Sequence, residues 1–485
     1  MRVARISGFG FLLFSACSSS SPSTNPLDAS APADASTGFA YAPAGCAYTF
    51  TPPDSDAFTD LALDGTDTLT DVASSAPARV RIGVGGGTTA GKPGYADITT
   101  SAAFTWEATG VTHATKVKYG TDPNNLSNVQ AGYSWTTPGG IGAPVNMHEA
   151  HVCGLTPGTT YYYQVGGPAS GGDSYSATQS FTTAPASGAI TVGVSGDSRD
   201  SSTVFQLVQE RMRDAAVAFQ IMSGDLIPIG TEGSLYQQFL DSAWKDPADS
   251  TKFLTLGQQI FLMVPGNHEN DSSQYFGNFA LPGLDQNAER FGSINIGNAH
   301  IVLLDDETIA ADPTNPIAAA ETAWLEQDLT AADADRTNHP FEIVVHHRGE
   351  LSTSVHATDA DVVQMRKTLM PIWDKHHVDL VLNGHDHNYE RSKAVTGPAT
   401  APVLAANGTT YVVCAGAGAT AYAPGTAPST TRAINVRFGD GTPYVGVYEL
   451  VTLDANKISV KAYGLKNAGG GVAGDDVIDT FDLTH

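Results

Sequence analysis

Apolar residues in this chain change their spacing near residue 188. From about 76 to 185 they sit in short alternating stretches separated by turns. Ala103-Phe104-Thr105-Trp106-Glu107, Thr115-Lys116-Val117-Lys118-Tyr119 and Thr160-Tyr161-Tyr162-Tyr163-Gln164-Val165 each predict a strand. Thr183-Ala184-Pro185-Ala186-Ser187-Gly188 reads as a linker. Beyond it, short continuous apolar runs alternate with segments of helical spacing. Val192-Gly193-Val194, Phe219-Gln220-Ile221-Met222, Phe261–Val264, Ile343-Val344-Val345 and Val378–Leu382 read as buried strands. Val204–Met212 and Asp361–Trp373 predict helices, the second with Val362, Met365, Leu369 and Trp373 on its core face. Val445–Leu450, Ile458–Tyr463 and Val477–Leu483 predict closing antiparallel strands. The pattern implies an all-β sandwich over 76–185, followed by an α+β domain of α/β-like layers over 188–485.

Length agrees with that division, because 485 residues exceed one ordinary core. Residues 18–75 are rich in Ser, Pro, Ala, Asp and Thr and read as a tether and lead-in. Residues 1–17 predict an export signal: a basic start, the short apolar run Phe9–Phe14, then Phe14-Ser15-Ala16-Cys17. That last tetrapeptide resembles a bacterial lipoprotein cleavage site, which would leave Cys17 lipidated and the chain anchored at a membrane surface or otherwise secreted. No later stretch reaches the roughly 18 continuous apolar residues of a spanning helix. Of the other cysteines, Cys46 and Cys153 lie outside the second domain, and export makes a disulfide between them feasible. Cys414, on a core strand, reads as a buried free thiol.

Acidic residues outnumber basic ones 50 to 25, giving a formal charge of −25. Such a surface repels nucleic acid polymers, so none is expected as a partner. A small anion could still bind where cations set the local field.

The chemistry gathers at the strand ends. Val192–Ser195 runs into Gly196-Asp197, and Phe219–Ser223 into Gly224-Asp225. Phe261–Val264 leads to Gly266-Asn267-His268-Glu269, Ile343–Val345 to His346-His347, and Val378–Leu382 to Gly384-His385-Asp386-His387. Alone, a Gly-Asp or Gly-Asn-His reads as a turn, and His346-His347 as one core and one surface histidine. Five in one order, four with a glycine just before the ligand, read as a metal site at the carboxyl ends of strands. Carboxylate, amide and imidazole together suit Zn, Mn or Fe.

These segments resemble the calcineurin-like metallophosphoesterase superfamily. Within it, Gly266-Asn267-His268-Glu269, Trp324-Leu325-Glu326-Gln327 and Asn388-Tyr389-Glu390-Arg391 resemble the purple acid phosphatases. The turn Val152–Tyr161 resembles one in fibronectin type III-like sandwiches, which such phosphatases often carry. The resemblance implies two mixed sheets face to face with helices outside, and two divalent metal ions. Asp197, Asp225 and His387 would hold the first, and Asp225, Asn267, His346 and His385 the second. A hydroxide generated there would attack a phosphate monoester. His268 would contact the phosphate or protonate the leaving group, and His356 would be a second acid.

Two positions depart from the family. Its purple members place a tyrosine ligand three residues after the bridging aspartate, where this chain has Pro228. Where relatives often have histidine or glycine, this chain has Arg199, a permanent cation suited to a phosphate rather than a metal. The expectation is a colourless divalent pair, with Arg199 on the substrate. The alternatives are a phosphodiesterase or nucleotidase with the same centre, or an inactive phosphate-binding surface protein. No Gly-x-Gly-x-x-Gly dinucleotide loop opens a helix, and no Gly-x-Ser-x-Gly elbow ends a strand in the second domain.

Overall fold

The computed structural model describes residues 39–485 apart from the segments 53–57, 65–75, 88–91, 93–94, 109–113, 138–143, 170–171, 248, 284–288, 399, 423–429 and 468–470. The signal segment, Cys17 and most of the 18–75 lead-in lie outside the described residues.

The first region is all-β. One sheet runs in the order Gln179–Thr182, Thr160–Ala169, Lys116–Gly120 and Asn128–Ala131, with Gly172–Tyr175 pairing beside Thr160–Ala169. Opposite it lie Thr59–Leu63, Tyr133–Thr136, Asn146–Cys153, Ser101–Ala108 and Pro77–Gly83. The two faces meet through rings: Phe104 stands 4.7 Å from Tyr163 and 5.4 Å from Phe181. A disulfide joins Cys46 to Cys153, closing a loop of 107 residues, and Cys414 is buried and free.

The second of these sheets does not stop at the linker. Ile82 pairs in parallel with Ile260, so one eleven-stranded sheet runs from the first region into the second. There Ile260–Met263, Phe219–Met222 and Ile190–Ser195 are parallel neighbours. Gly446–Asp454, Lys457–Leu465 and Asp476–Thr484 then close the sheet antiparallel, as the tail pattern predicts. A seven-stranded sheet faces it, with Ala299–Leu303, Phe341–Val345, Leu380–Asn383 and Thr410–Cys414 parallel at its centre.

The layers follow from alternation. Ile343, Val345, Leu380 and Leu382 point inward and share one core with Val192, Val194, Ile221 and Leu262 of the other sheet. Val344 and Val381, one residue out of phase, point outward against Met365, Leu369 and Trp373 of the helix Ala360–His376. On the other outer face Phe205, Val208 and Met212 of the helix Ser202–Asp214 cover Met222, Phe261 and Met263. The result is the expected pair of mixed sheets, face to face and flanked by helices, after an all-β region. Both helices expected from spacing form, each within two residues of its expected start.

Candidate metal centre

Five strand ends deliver side chains to one place. Asp197 follows Ile190–Ser195, Asp225 follows Phe219–Met222, and Asn267 and His268 follow Ile260–Met263. His347 follows Phe341–Val345, while His385 and His387 follow Leu380–Asn383. Asp197, Asp225 and His385 all adopt positive φ, at 58°, 53° and 70°. Non-glycine residues hold such conformations at a cost, and here every one of the three turns a polar group off its strand. The preceding glycines make room. A Cβ on Gly384 would lie 2.5 Å from Asp197 Oδ2, and one on Gly266 2.5 Å from Asp225 Oδ1.

Ligand atoms of Asp197, Asp225 and His347 lie within 4.8 Å of one another, all three residues buried. His347 Nε2 is 3.3 Å from Asp225 Oδ1 and 3.2 Å from Asn267 Oδ1. Its Nδ1–H donates to the Ser223 carbonyl at 2.7 Å, which turns Nε2 toward the carboxylates. His387 is set the same way. Its Nδ1–H donates to the Thr420 carbonyl at 2.6 Å, and Nε2 stands 3.4 Å from Asp197 Oδ1. The backbone N–H of His385 donates to both oxygens of Asp197 at 3.1 Å, and its ring lies 5.0 Å from that of His347.

The electrostatics ask for a cation. Burial disfavours charge on His347, yet Asp225 and Asp197 hold its pKa up at about 9. Burial also opposes charge on Asp225, but His347 and His268 prevail and lower its pKa. Buried anions with imidazole and amide donors fit divalent ions such as Zn, Mn or Fe(II).

One expected ligand is elsewhere. His346, assigned to the second ion by resemblance, points to the outer face of its sheet. Its Nδ1 is 3.1 Å from Asp306 Oδ2, its Nε2 2.9 Å from Glu350 Oε1, and its ring packs against Trp373. His347 takes the inner position instead. The reason is parity: Phe341, Ile343 and Val345 face the inner core, so His347 follows them and His346 follows Val344.

The expected substrate-side groups lie close to the ligands. His268 Nδ1–H donates to the Pro228 carbonyl at 2.7 Å, and its Nε2 lies 3.9 Å from Asp225 Oδ2. Pro228, lacking a side-chain ligand, thus contributes its carbonyl to orient a histidine. His356 packs on His385 with centroids 4.4 Å apart, and its Nδ1 is 2.8 Å from Asp359 Oδ2. Arg199 Nε lies 3.4 Å from Asp225 Oδ2, and its Nη2 is 3.3 Å from His387 Nε2.

Three further residues shape the site without being foreseen. Glu269, fully buried, accepts N–H bonds from Asp225, Leu226 and Gly266 at 2.9, 2.8 and 2.7 Å, tying two ligand loops together. Its place in the Gly-Asn-His-Glu segment was the available signal. Arg348 has Nη1 3.4 Å from His385 Nε2 and is neutralised by Glu307 and Asp361. Tyr422 stacks on His387 at 3.9 Å and accepts from Arg199 through its hydroxyl at 3.2 Å. Nothing in the sequence around Tyr422 marks it.

The comparisons agree with this geometry. Residues 190–389 match the family model for calcineurin-like phosphoesterases, and residues 94–183 match that for the purple acid phosphatase N-terminal domain. Purple acid phosphatase 21 of Arabidopsis thaliana is 28% identical over 288 residues, which is 58% of this chain and 61% of the relative. Probable purple acid phosphatase 20 of the same plant is 29% identical over 253 residues, 50% of this chain and 54% of the relative. The chain therefore spans less than two-thirds of either relative's length. Among solved structures, a purple acid phosphatase from yellow lupin (Lupinus luteus) seeds shares the fold with a TM-score of 0.64 at 18% identity, over 84% of this chain and 74% of that one. PhoD gives 0.57 at 12% identity, over 85% and 91%. Residues 190–389 thus match the calcineurin-like phosphoesterases, residues 94–183 match the purple acid phosphatase N-terminal domain, and the chain as a whole is similar to purple acid phosphatases.

Proposed function

We propose that this protein is a metal-dependent phosphatase acting on small phosphate monoesters. The observation that carries the reading is the convergence of Asp197, Asp225 and His347 at three strand ends, with Asn267, His385 and His387 around them. Asp197, Asp225 and His387 are the groups for one ion. Asp225, Asn267, His347 and His385 would hold a second. When bound, such ions supply Lewis-acid charge to phosphate oxygens and acidify a water for in-line attack.

The protein's own groups divide the remaining tasks. Arg199, a planar fork beside Asp225, is placed to hold two phosphate oxygens. His268 keeps a proton on Nδ1 through Pro228 and turns Nε2 toward the pocket, where it can meet the phosphate or the leaving oxygen. His356 packs against His385. Export to an oxidising compartment, with a lipid anchor at Cys17, is part of the proposal, and the Cys46–Cys153 disulfide supports it.

Metal analysis and a panel of phosphate mono- and diesters on one purified sample test this function. The reading requires about two divalent ions per chain and faster turnover of monoesters. A faster diester rate would make the protein a phosphodiesterase, and metal-free inert protein would make it a binding protein.

A further inference from the structure

Large apolar side chains are exposed at few places among the described residues, and two of these lie on backbone segments that hold site histidines. Ile229 is 49% exposed and Val355 53% exposed. Ile229 is fixed beside His268 by bonds on both sides of it. The Pro228 carbonyl accepts from His268 Nδ1 at 2.7 Å, and the Gly230 N–H donates to the His268 carbonyl at 2.8 Å. Val355 immediately precedes His356, whose N–H donates to Asp386 Oδ1 at 3.1 Å and whose ring packs on His385. One aliphatic residue therefore sits on the backbone segment beside each of the two histidines assigned to the leaving oxygen.

Single exposed apolar residues need no explanation, but two that each adjoin a histidine of the same site do. Leaving them in water is unfavourable, and a bound group that covers both regains that free energy. The anionic half of an ester has its own partners, Arg199 and the cations the pocket attracts. What remains is the alcohol half, to which Ile229 and Val355 offer apolar contact.

We propose that Ile229 and Val355 are specificity-determining residues that select phosphate esters whose alcohol half presents an apolar face. The proposal rests on the phosphatase reading above. No new bond chemistry is involved: both residues act by contact with the departing group.

The test compares kcat/KM for phenyl phosphate, hexyl phosphate and glycerol phosphate in the wild type, Ile229→Ser and Val355→Ser. Both positions are half-exposed, so the serine variants keep the fold. Taking the ratio to glycerol phosphate within each protein cancels intrinsic reactivity. Each variant is expected to lower the phenyl or hexyl ratio about three- to tenfold, in line with hydrophobic discrimination at a pocket wall. A fall confined to phenyl phosphate identifies a flat aromatic alcohol, and a fall shared by hexyl phosphate an alkyl one. Hydrolysis with unchanged ratios in both variants overturns the proposal and leaves the phosphatase reading standing. Absence of hydrolysis of every ester by metal-loaded wild type overturns both.

Discussion

The tandem histidines offer a direct test, because adjacent residues of one type are assigned opposite roles. His347→Ala removes the Nε2 that sits 3.3 Å from Asp225 Oδ1 and 3.2 Å from Asn267 Oδ1. It also removes one hydrogen bond to Ser223, worth about 1 kcal/mol. Loss of a group that only supports a ligand typically weakens metal binding about 10–100-fold, so loss of the ligand itself should cost at least the upper figure. His346→Ala acts differently. It leaves Asp306 and Glu350, both fully buried, without the imidazole between them. Breaking a buried ion pair costs about 3–5 kcal/mol, which predicts a fall in melting temperature on the order of 10 °C. The assays are metal content by elemental analysis after dialysis against a weak chelator, and thermal unfolding of the same samples. The expected result is a double dissociation: His347→Ala folded but metal-poor, His346→Ala metal-bearing but unstable. The reverse pattern would refute the assignment and restore His346 as the ligand.

Other outcomes follow from the same geometry. Glu269→Gln, which disturbs a carboxylate holding three amides, should weaken metal binding about 10–100-fold, read by titration with Zn or Mn; unchanged affinity would make Glu269 a core residue only. Arg199→Ala should lower kcat/KM while metal content holds, and a metal-empty variant would show instead that Arg199 maintains the centre. Reducing the Cys46–Cys153 bond releases a 107-residue loop and should destabilise the fold by up to about 5 kcal/mol, measured by denaturant melts with and without reductant. Glu449 is fully buried and has no hydrogen-bond partner among the described residues; burial, aided by Asp479, raises its pKa to about 8. The folded state thus holds a proton that the unfolded chain releases near pH 4.5, so stability falls as pH rises from about 4.5 to about 8. Glu449→Gln should flatten that fall, and identical melting-temperature profiles from pH 5 to 9 would reject the argument.

What the sequence discloses here depends on whether a strand has one buried face or two. In the first region Tyr161, Tyr163 and Val165 are buried while Thr160, Tyr162 and Gln164 between them are not, and period two is plain to read. Phe341–Val345 and Leu380–Asn383 are buried throughout, packed by a sheet on one side and helices on the other. Such strands read as unbroken apolar runs, which announce a strand but conceal which face is inner. The strand ends, and therefore the site's location, were legible for that reason; the choice between His346 and His347 was not. Parity decides it, and parity needs the second sheet. His385 and His387 show the same gap from another side. Strand alternation would by itself put both on one side, but His385 has φ of 70° and lies beyond the last strand residue, Asn383. A turn brings the two histidines together, and the glycine before it is what the turn requires, since a Cβ there would strike Asp197. Tyr422 was illegible for a different reason. It reaches His387 from a loop 35 positions later in the chain, with no motif to mark it, so only the folded chain reveals the ring stacked on a ligand. Ligands carried on strands recur with fixed neighbours and can be read, whereas the walls of this pocket come from loops whose chemistry is free to vary.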